Sequence, residues 1–182
     1  AMLGHRRLSI LDLSTAASQP MVDPQRGDVA VLNGEIYNYV DIRGSLEAQG
    51  HTLWSTGDTA AMLRLLSLRG FDAVRELRGM FAIALWDPRR CELLLARDAL
   101  GIKPLYFARN PDPAGEWSFA FASEVRALLR SGLLHKPRLR SSAVASVVWN
   151  GFTVAPETII EGIESLLPGE MRVYAQDGGE RQ

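Results

Sequence analysis

Apolar and polar positions along the chain fall into short blocks, and most of the apolar blocks read as strands. Leu8, Ile10 and Leu11, with Ser9 between them, predict a short first strand. Pro20, Pro24 and Gly27 mark the loop after it. Val29 to Leu32 is a β-rich run, interrupted at Asn33-Gly34 and resumed at Glu35-Ile36-Tyr37. Met80 to Trp86 and Cys91 to Ala96 are apolar runs joined by Asp87-Pro88-Arg89-Arg90, which is turn chemistry, so they predict a hairpin. Leu105 to Ala108 and Trp117 to Ala122 predict a second hairpin across Pro111, Pro113 and Gly115. A last strand, Met171 to Tyr174, follows a Pro168-Gly169 turn.

Helical spacing occupies the gaps. Asn38 is placed to cap a helix over 41–49, with Asp41 three positions on and Gly50 just past the end. A second helix fits 59–69, where Ala61, Leu65 and Leu66 form a stripe that Gly70 stops. Shorter helices fit 71–78, 141–149, and the stretch from a Ser123 cap to Arg130. The run Phe81-Ala82-Ile83-Ala84-Leu85-Trp86 leaves no polar face, so its sheet is covered on both sides. Consecutive hairpins with helices before and after predict an α+β fold of antiparallel sheets.

Composition narrows the function. The 182 residues carry 47% hydrophobic and 23% charged positions and a net charge of −1, which fits one globular domain with its own core. That charge gives no general pull toward nucleic acid, and no apolar run reaches the ~18 residues of a membrane span. Cys91 is the one cysteine, which excludes an internal disulfide and a thiolate zinc cluster and fits a reducing, cytoplasmic setting. His5, His51 and His135 lie too far apart for metal-ligand spacing, so no metal site is expected. Ala1 ahead of Met2 reads as a residue added before a start methionine.

Three polar clusters are candidates for chemistry, and each has a local alternative. Asn33-Gly34 between β-rich runs signals a two-residue hairpin turn. The same Asn amide and Gly N–H also suit two donors converging on a developing oxyanion. Arg6 and Arg7 read either as solvated charges opening a strand or as a guanidinium fork for a carboxylate. Asp58 or Thr59 reads as a helix N-cap, or Asp58 as the partner of a ligand ammonium group.

Taken in order, the blocks Gly4-His5-Arg6-Arg7-Leu8-Ser9-Ile10, Asn33-Gly34-Glu35-Ile36-Tyr37-Asn38 and Gly57-Asp58-Thr59 resemble the glutaminase domain of glutamine-hydrolysing asparagine synthetases. Those domains are class II glutamine amidotransferases of the N-terminal-nucleophile hydrolase type. Arg78-Gly79-Met80-Phe81-Ala82, the stretch from Ala96 to Tyr106, Phe121-Ala122-Ser123-Glu124 and Leu167-Pro168-Gly169-Glu170 extend the likeness over nearly the whole chain.

The resemblance implies a four-layer αββα sandwich of antiparallel sheets, lacking its first strands, with residues 1–182 as a partial amidotransferase domain. It implies L-glutamine as ligand. Arg7 would take the α-carboxylate and Asp58 the α-ammonium. Asn33 and Gly34 would form the oxyanion hole, Glu35 would line the pocket, and Leu8, Ser9 and Ile10 would supply wall and backbone contacts. The parent enzyme would be an ATP-dependent asparagine synthase, a ligase, with ATP and Mg bound only in a synthetase domain absent from this chain. The fragment itself would need no cofactor.

The family's nucleophile is an N-terminal cysteine that these residues do not contain, so the isolated fragment is expected to be inactive. Cys91 is expected to be an ordinary strand residue. Ala60 stands where the family usually has Glu, and Gly57 where it has Ser. The polar residues retained in every later block favour a late start over a natural truncation. Pairing with a second copy as a homodimer, or partial disorder near residues 12–28, is expected to follow. The alternatives are a glutamine-binding scaffold without catalysis, or an amidotransferase with another carboxylate acceptor.

Overall fold

Hairpin turns set the architecture, because every pairing between described strands is antiparallel. The computed structural model describes residues 1–6, 14–112, 114–134, 136–175 and 179–181. In chain order the strands and helices are β1 (Met21–Val22), β2 (Val29–Ile36), α1 (Tyr39–Ala48), α2 (Asp58–Arg69), β3 (Gly79–Asp87), β4 (Glu92–Arg97), β5 (Tyr106–Arg109), β6 (Phe119–Ala122), α3 (Val125–Arg130), α4 (Ser141–Asn150), β7 (Ile163–Ser165), β8 (Met171–Ala175) and β9 (Glu180–Arg181). Short 3-10 turns occupy Thr15–Ala17 and Phe71–Glu76. The larger sheet has the order β1-β2-β3-β4-β8-β9 and the smaller one β6-β5-β7.

Period-two alternation gives each central strand two buried faces. One face of the large sheet carries Leu32, Ile36, Ile83, Leu85 and Leu94 under α1 and α2. The other carries Val31, Ala82, Ala84 and Leu95, against Leu105, Phe107 and Leu166. The outer face of the small sheet, with Ala108 and Ile163, packs on Leu128 of α3. Helices, sheet, sheet and helix therefore stack in the expected αββα order. Small side chains at Ala82 and Ala84 let the two sheets approach. Helix α2 is buried without a break from Asp58 to Ser67, because it lies between α1 and the sheet. Helix α4 buries only Ala143 and leaves Val148 and Trp149 exposed. Among the described residues no helix is long and apolar enough to cross a membrane.

Several local expectations give way to longer-range pairing. Asn33-Gly34 makes no hairpin turn: β2 runs straight through it, with Asn33 opposite Ala82 and Gly34 opposite Phe81. Asn38 caps no helix with its side chain. Instead its Nδ2 donates to Glu76 O at 3.0 Å and its Oδ1 accepts Arg78 N–H at 2.9 Å, fastening the start of α1 to β3. Glu124, not Ser123, stands at the start of α3, and it makes no side-chain cap. Cys91 is a turn residue with φ +54, not a strand residue, and its thiol lies 3.6 Å from Pro88 O. From residue 14 onward the stretch expected to be disordered is structured: it forms the 3-10 turn, β1 and a turn that Asp23 closes by accepting Gln25 and Arg26 N–H. The predicted strand around Leu8 to Leu11 lies outside the described residues.

At the other end of β4, Arg97 and Asp98 hold the two sheets and their connecting loop together. Arg97 donates to Ser165 Oγ and Leu166 O beside the small sheet, and to Gly101 O and Lys103 O in the loop. Asp98 is 1% exposed and accepts four backbone N–H groups, from Phe81, Leu100, Ile102 and Lys103. Burial alone raises a carboxyl pKa, but these bonds outweigh it and hold Asp98 below its ordinary value. A depressed native pKa adds stability that is complete above the unfolded value of about 3.9 and disappears as pH falls through the native one. Urea unfolding at stepped pH should therefore show a loss of stability below about pH 4 that is shallower in Asp98→Asn, which should also be less stable at pH 7. Equal slopes in the two proteins would show that Asp98 is not the group being titrated.

Candidate active site

The site is built on the side of β2 away from β3, beyond the two residues, Val29 and Ala30, that pair with β1. Tyr37 N–H donates to Arg78 O at 2.7 Å, which sets the direction of every amide along the strand. Odd-numbered residues of β2 turn N–H toward β3, and even-numbered residues turn it toward the opposite edge. Two of the edge groups are taken by side chains. Leu32 N–H donates to Gln19 Oε1 at 2.7 Å, and Ile36 N–H donates to Asp58 Oδ2 at 3.0 Å. Gly34 N–H points to the same edge, between them. Asn33 precedes it and places its side chain on the face shared with Val31 and Ala82, toward the small sheet. The residue with its amide side chain above the strand and the one with its N–H at the edge are thus consecutive.

Gly34 is where the backbone requires glycine. Its φ is +136°, and a Cβ there would stand 1.9 Å from Met80 O and 2.9 Å from Phe81 Cα. No side chain fits against β3 at this point, which leaves the strand free to pass close to its neighbour.

Asp58 opens α2 and is only 7% exposed. Its Oδ1 accepts Thr59 N–H at 2.7 Å and the Thr59 hydroxyl at 3.3 Å, while Oδ2 takes Ile36 N–H. Helix N-termini favour negative charge, so the carboxylate is stabilised where it stands. Gly57, not Asp58 or Thr59, holds the N-cap position; Asp58 is the first residue of the helix and faces the strand edge that carries Gly34. Glu35 is half-buried, on the face of Asn33 and opposite Met80.

The structure therefore gathers Asn33, Gly34, Glu35 and Asp58 at one end of β2. Arg7, Leu8, Ser9 and Ile10 lie outside the described residues. Cys91 is placed far from the group: Gly34 pairs with Phe81, and Cys91 lies beyond Asp87 at the far end of that strand, about 20 Å away at ~3.4 Å per residue. Sequence reasoning missed Gln19 and Thr59 as parts of this edge, and Arg97 as the tie between the sheets. Gln19 sits in a loop without periodicity, and its partners are 13 and 40 residues away, so no local signal marks it. A cleft of about 700 Å³ is lined by Arg75, Arg78, Phe81, Leu100 and Glu170 among others, and by none of Gln19, Asn33, Gly34, Glu35 and Asp58. Among the described residues no cluster of His, Cys, Asp and Glu is arranged to hold a metal ion.

Comparison with known proteins bears on the family and the fold. The family profile described as a glutamine amidotransferase domain matches residues 1–182. Asparagine synthetase [glutamine-hydrolyzing] 3 of Bacillus subtilis (strain 168) is 34% identical over 180 residues, covering 97% of this chain and 28% of the relative. Asparagine synthetase [glutamine-hydrolyzing] 1 of the same organism is 33% identical over 175 residues, covering 96% and 26%. Amidase chry2 of Gibberella zeae is 33% identical, covering 99% and 25%. The chain thus spans about a quarter of the length of these relatives. In three dimensions it is similar to glutamine phosphoribosylpyrophosphate amidotransferase from B. subtilis, solved with ADP and GMP, with a TM-score of 0.62 over 98% of this chain and 34% of that one. At 18% identity that likeness speaks to the fold alone. On the profile match and these relatives, the chain belongs to the glutamine amidotransferase domain family.

Proposed function

We propose that this domain binds L-glutamine and supplies its amide nitrogen as ammonia within a longer, ATP-dependent asparagine synthase. The observation that carries the proposal is the Ile36–Asp58 bond, because it puts a carboxylate on the edge that holds Gly34 N–H. Two residues of strand separate Gly34 from Ile36, about 7 Å at ~3.4 Å per residue. Extended glutamine spans about 6 Å from amide oxygen to α-nitrogen, given bonds of about 1.2–1.5 Å. A ligand of that length meets donors at one end and an anion at the other.

In this scheme Asp58 pairs with the α-ammonium and Arg7 with the α-carboxylate. Leu8, Ser9 and Ile10 wall the pocket and Glu35 lines it. When the amide carbon is attacked, its oxygen gains charge, and Asn33 and Gly34 N–H stabilise that charge. Cys91 is too distant to attack, so the nucleophile comes from outside these residues and the chain alone binds glutamine without hydrolysing it. Transfer to an aspartate carboxylate, with ATP and Mg, falls to a synthetase domain in the longer polypeptide.

Calorimetry should detect L-glutamine binding to the 182-residue chain, with no ammonia released. In the longer polypeptide, Asn33→Ala should slow glutamine-dependent synthesis about 10²–10³-fold, while synthesis from added ammonia is spared. An equal loss of both activities would remove Asn33 from the oxyanion hole.

A further inference from the structure

Gln19 joins the two ends of the site through a closed ring of hydrogen bonds. Its Oε1 accepts Leu32 N–H at 2.7 Å, and its Nε2 lies 3.4 Å from Thr59 Oγ1 as donor. The Thr59 hydroxyl in turn donates to Asp58 Oδ1 at 3.3 Å, and Asp58 Oδ2 returns to the strand at Ile36 N–H. The ring runs Leu32, Gln19, Thr59, Asp58, Ile36, and the strand segment that closes it is the one bearing Asn33 and Gly34. The bonds to Leu32 and Ile36 N–H are of ordinary length, and the two through the Thr59 hydroxyl, at 3.4 and 3.3 Å, are long. Linked in a ring, they bind the start of α2 to the edge of β2 at two points four residues apart, which removes the freedom to slide that a single contact leaves.

We propose that Gln19, acting through Thr59, is a positioning residue that sets the separation between the Asp58 carboxylate and the Gly34 N–H, and so selects the length of the amino-acid amide that fits. The role rests on glutamine as the ligand of this site. Gln19 touches neither end of the ligand. One of its amide N–H groups is engaged by Thr59 and its oxygen by Leu32. With the ring intact, the carboxylate is held at one distance from the oxyanion donors, matched to glutamine and too long for asparagine. With the ring cut at Thr59, Asp58 keeps only its bonds to Ile36 N–H and Thr59 N–H; cut at Gln19, it keeps the Thr59 hydroxyl as well, but that hydroxyl loses its tie to the strand at Leu32. The start of α2 can then follow a shorter ligand.

The readout is a ratio of affinities, since a general loss of stability weakens both ligands alike and leaves the ratio unmoved. L-glutamine and L-asparagine are titrated calorimetrically against the 182-residue chain and its variants, with thermal unfolding recorded for each. One methylene in a fitted site is worth about 10–200-fold, and the unaltered chain should prefer glutamine within that range. Gln19→Ala and the near-isosteric Thr59→Val should each lower the preference at least fivefold, whereas Thr59→Ser, which keeps the hydroxyl, should retain it. A folded Gln19→Ala or Thr59→Val with unchanged preference overturns the positioning role and leaves glutamine as the ligand. If Gln19→Ala does not fold, Thr59→Val decides alone. Failure of the unaltered chain to bind glutamine removes the glutamine assignment, and the positioning role with it.

Discussion

Gly34→Ala should unfold the molecule or bring it close to unfolding. The added methyl would stand 1.9 Å from Met80 O and 2.9 Å from both Met80 C and Phe81 Cα, all backbone atoms of β3. No side chain can rotate away to make room. The residue also holds φ +136°, where an alanine is strained whatever the space. Relief requires β2 and β3 to separate at the centre of the large sheet, and the same crossing is tight from the other side. A Cβ on Gly79 would stand 2.1 Å from Glu35 O. We expect a loss above about 4 kcal/mol, in the range reserved for severe backbone and packing damage. A domain of this size has only about 5–15 kcal/mol in hand. With a urea slope of about 1–3 kcal/mol per molar, the midpoint should fall by more than 1 M, or no transition should remain. A shift below 0.3 M, about 1 kcal/mol or less, would show that the strands are not in this register.

The second large loss is expected at Asp23. Asp23 and Arg64 are 0% and 1% exposed, and their charged atoms approach to 2.9 Å. The guanidinium also donates to Thr52 O and lies 5.2 Å from the centre of the Trp54 ring. Removing the carboxylate strands a buried cation, which typically costs about 3–5 kcal/mol. Asp23→Ala should therefore destabilise by that amount, measured by denaturant unfolding. Adding Arg64→Met to it should recover at least half, because the desolvated charge is gone and an apolar chain suits the site. Strict additivity of the two substitutions would argue against a direct pair. Loss of this pair also frees the turn after β1 from the middle of α2, so glutamine affinity should fall together with stability, unlike the selective change expected at Gln19.

The hairpin of β3 and β4 was legible because its information is local. Apolar runs flank an Asp-Pro turn, and the buried faces follow from a run that has no polar side. Gly70 closing α2 was legible for the same reason. Asn33-Gly34 was open to two interpretations because a hairpin turn and a strand bearing an oxyanion pair use the same dipeptide. The deciding fact is Phe81, 47 residues further on, pressed against Gly34. Asn38 has a cap's chemistry and a capping position, yet the carbonyl of Glu76 and the amide of Arg78 compete successfully for its side chain. β7 is three residues long and polar at its centre, too short to show alternation. Of the site, Asn33, Gly34, Glu35 and Asp58 could be named from motif order, whereas Gln19 could not. Its role consists wholly of contacts that the chain makes only once folded.

The side chains on the edge of β2 have a consequence for solubility as well as for the site. A strand edge with bare N–H groups is a template on which a foreign strand can grow. Here the amides of Leu32 and Ile36 are already occupied by Gln19 and Asp58, and Asp58 adds a buried charge. An incoming strand would have to displace an amide and a carboxylate and then bury that charge against its own backbone. The two bonds that hold α2 against this edge therefore also protect it against aggregation.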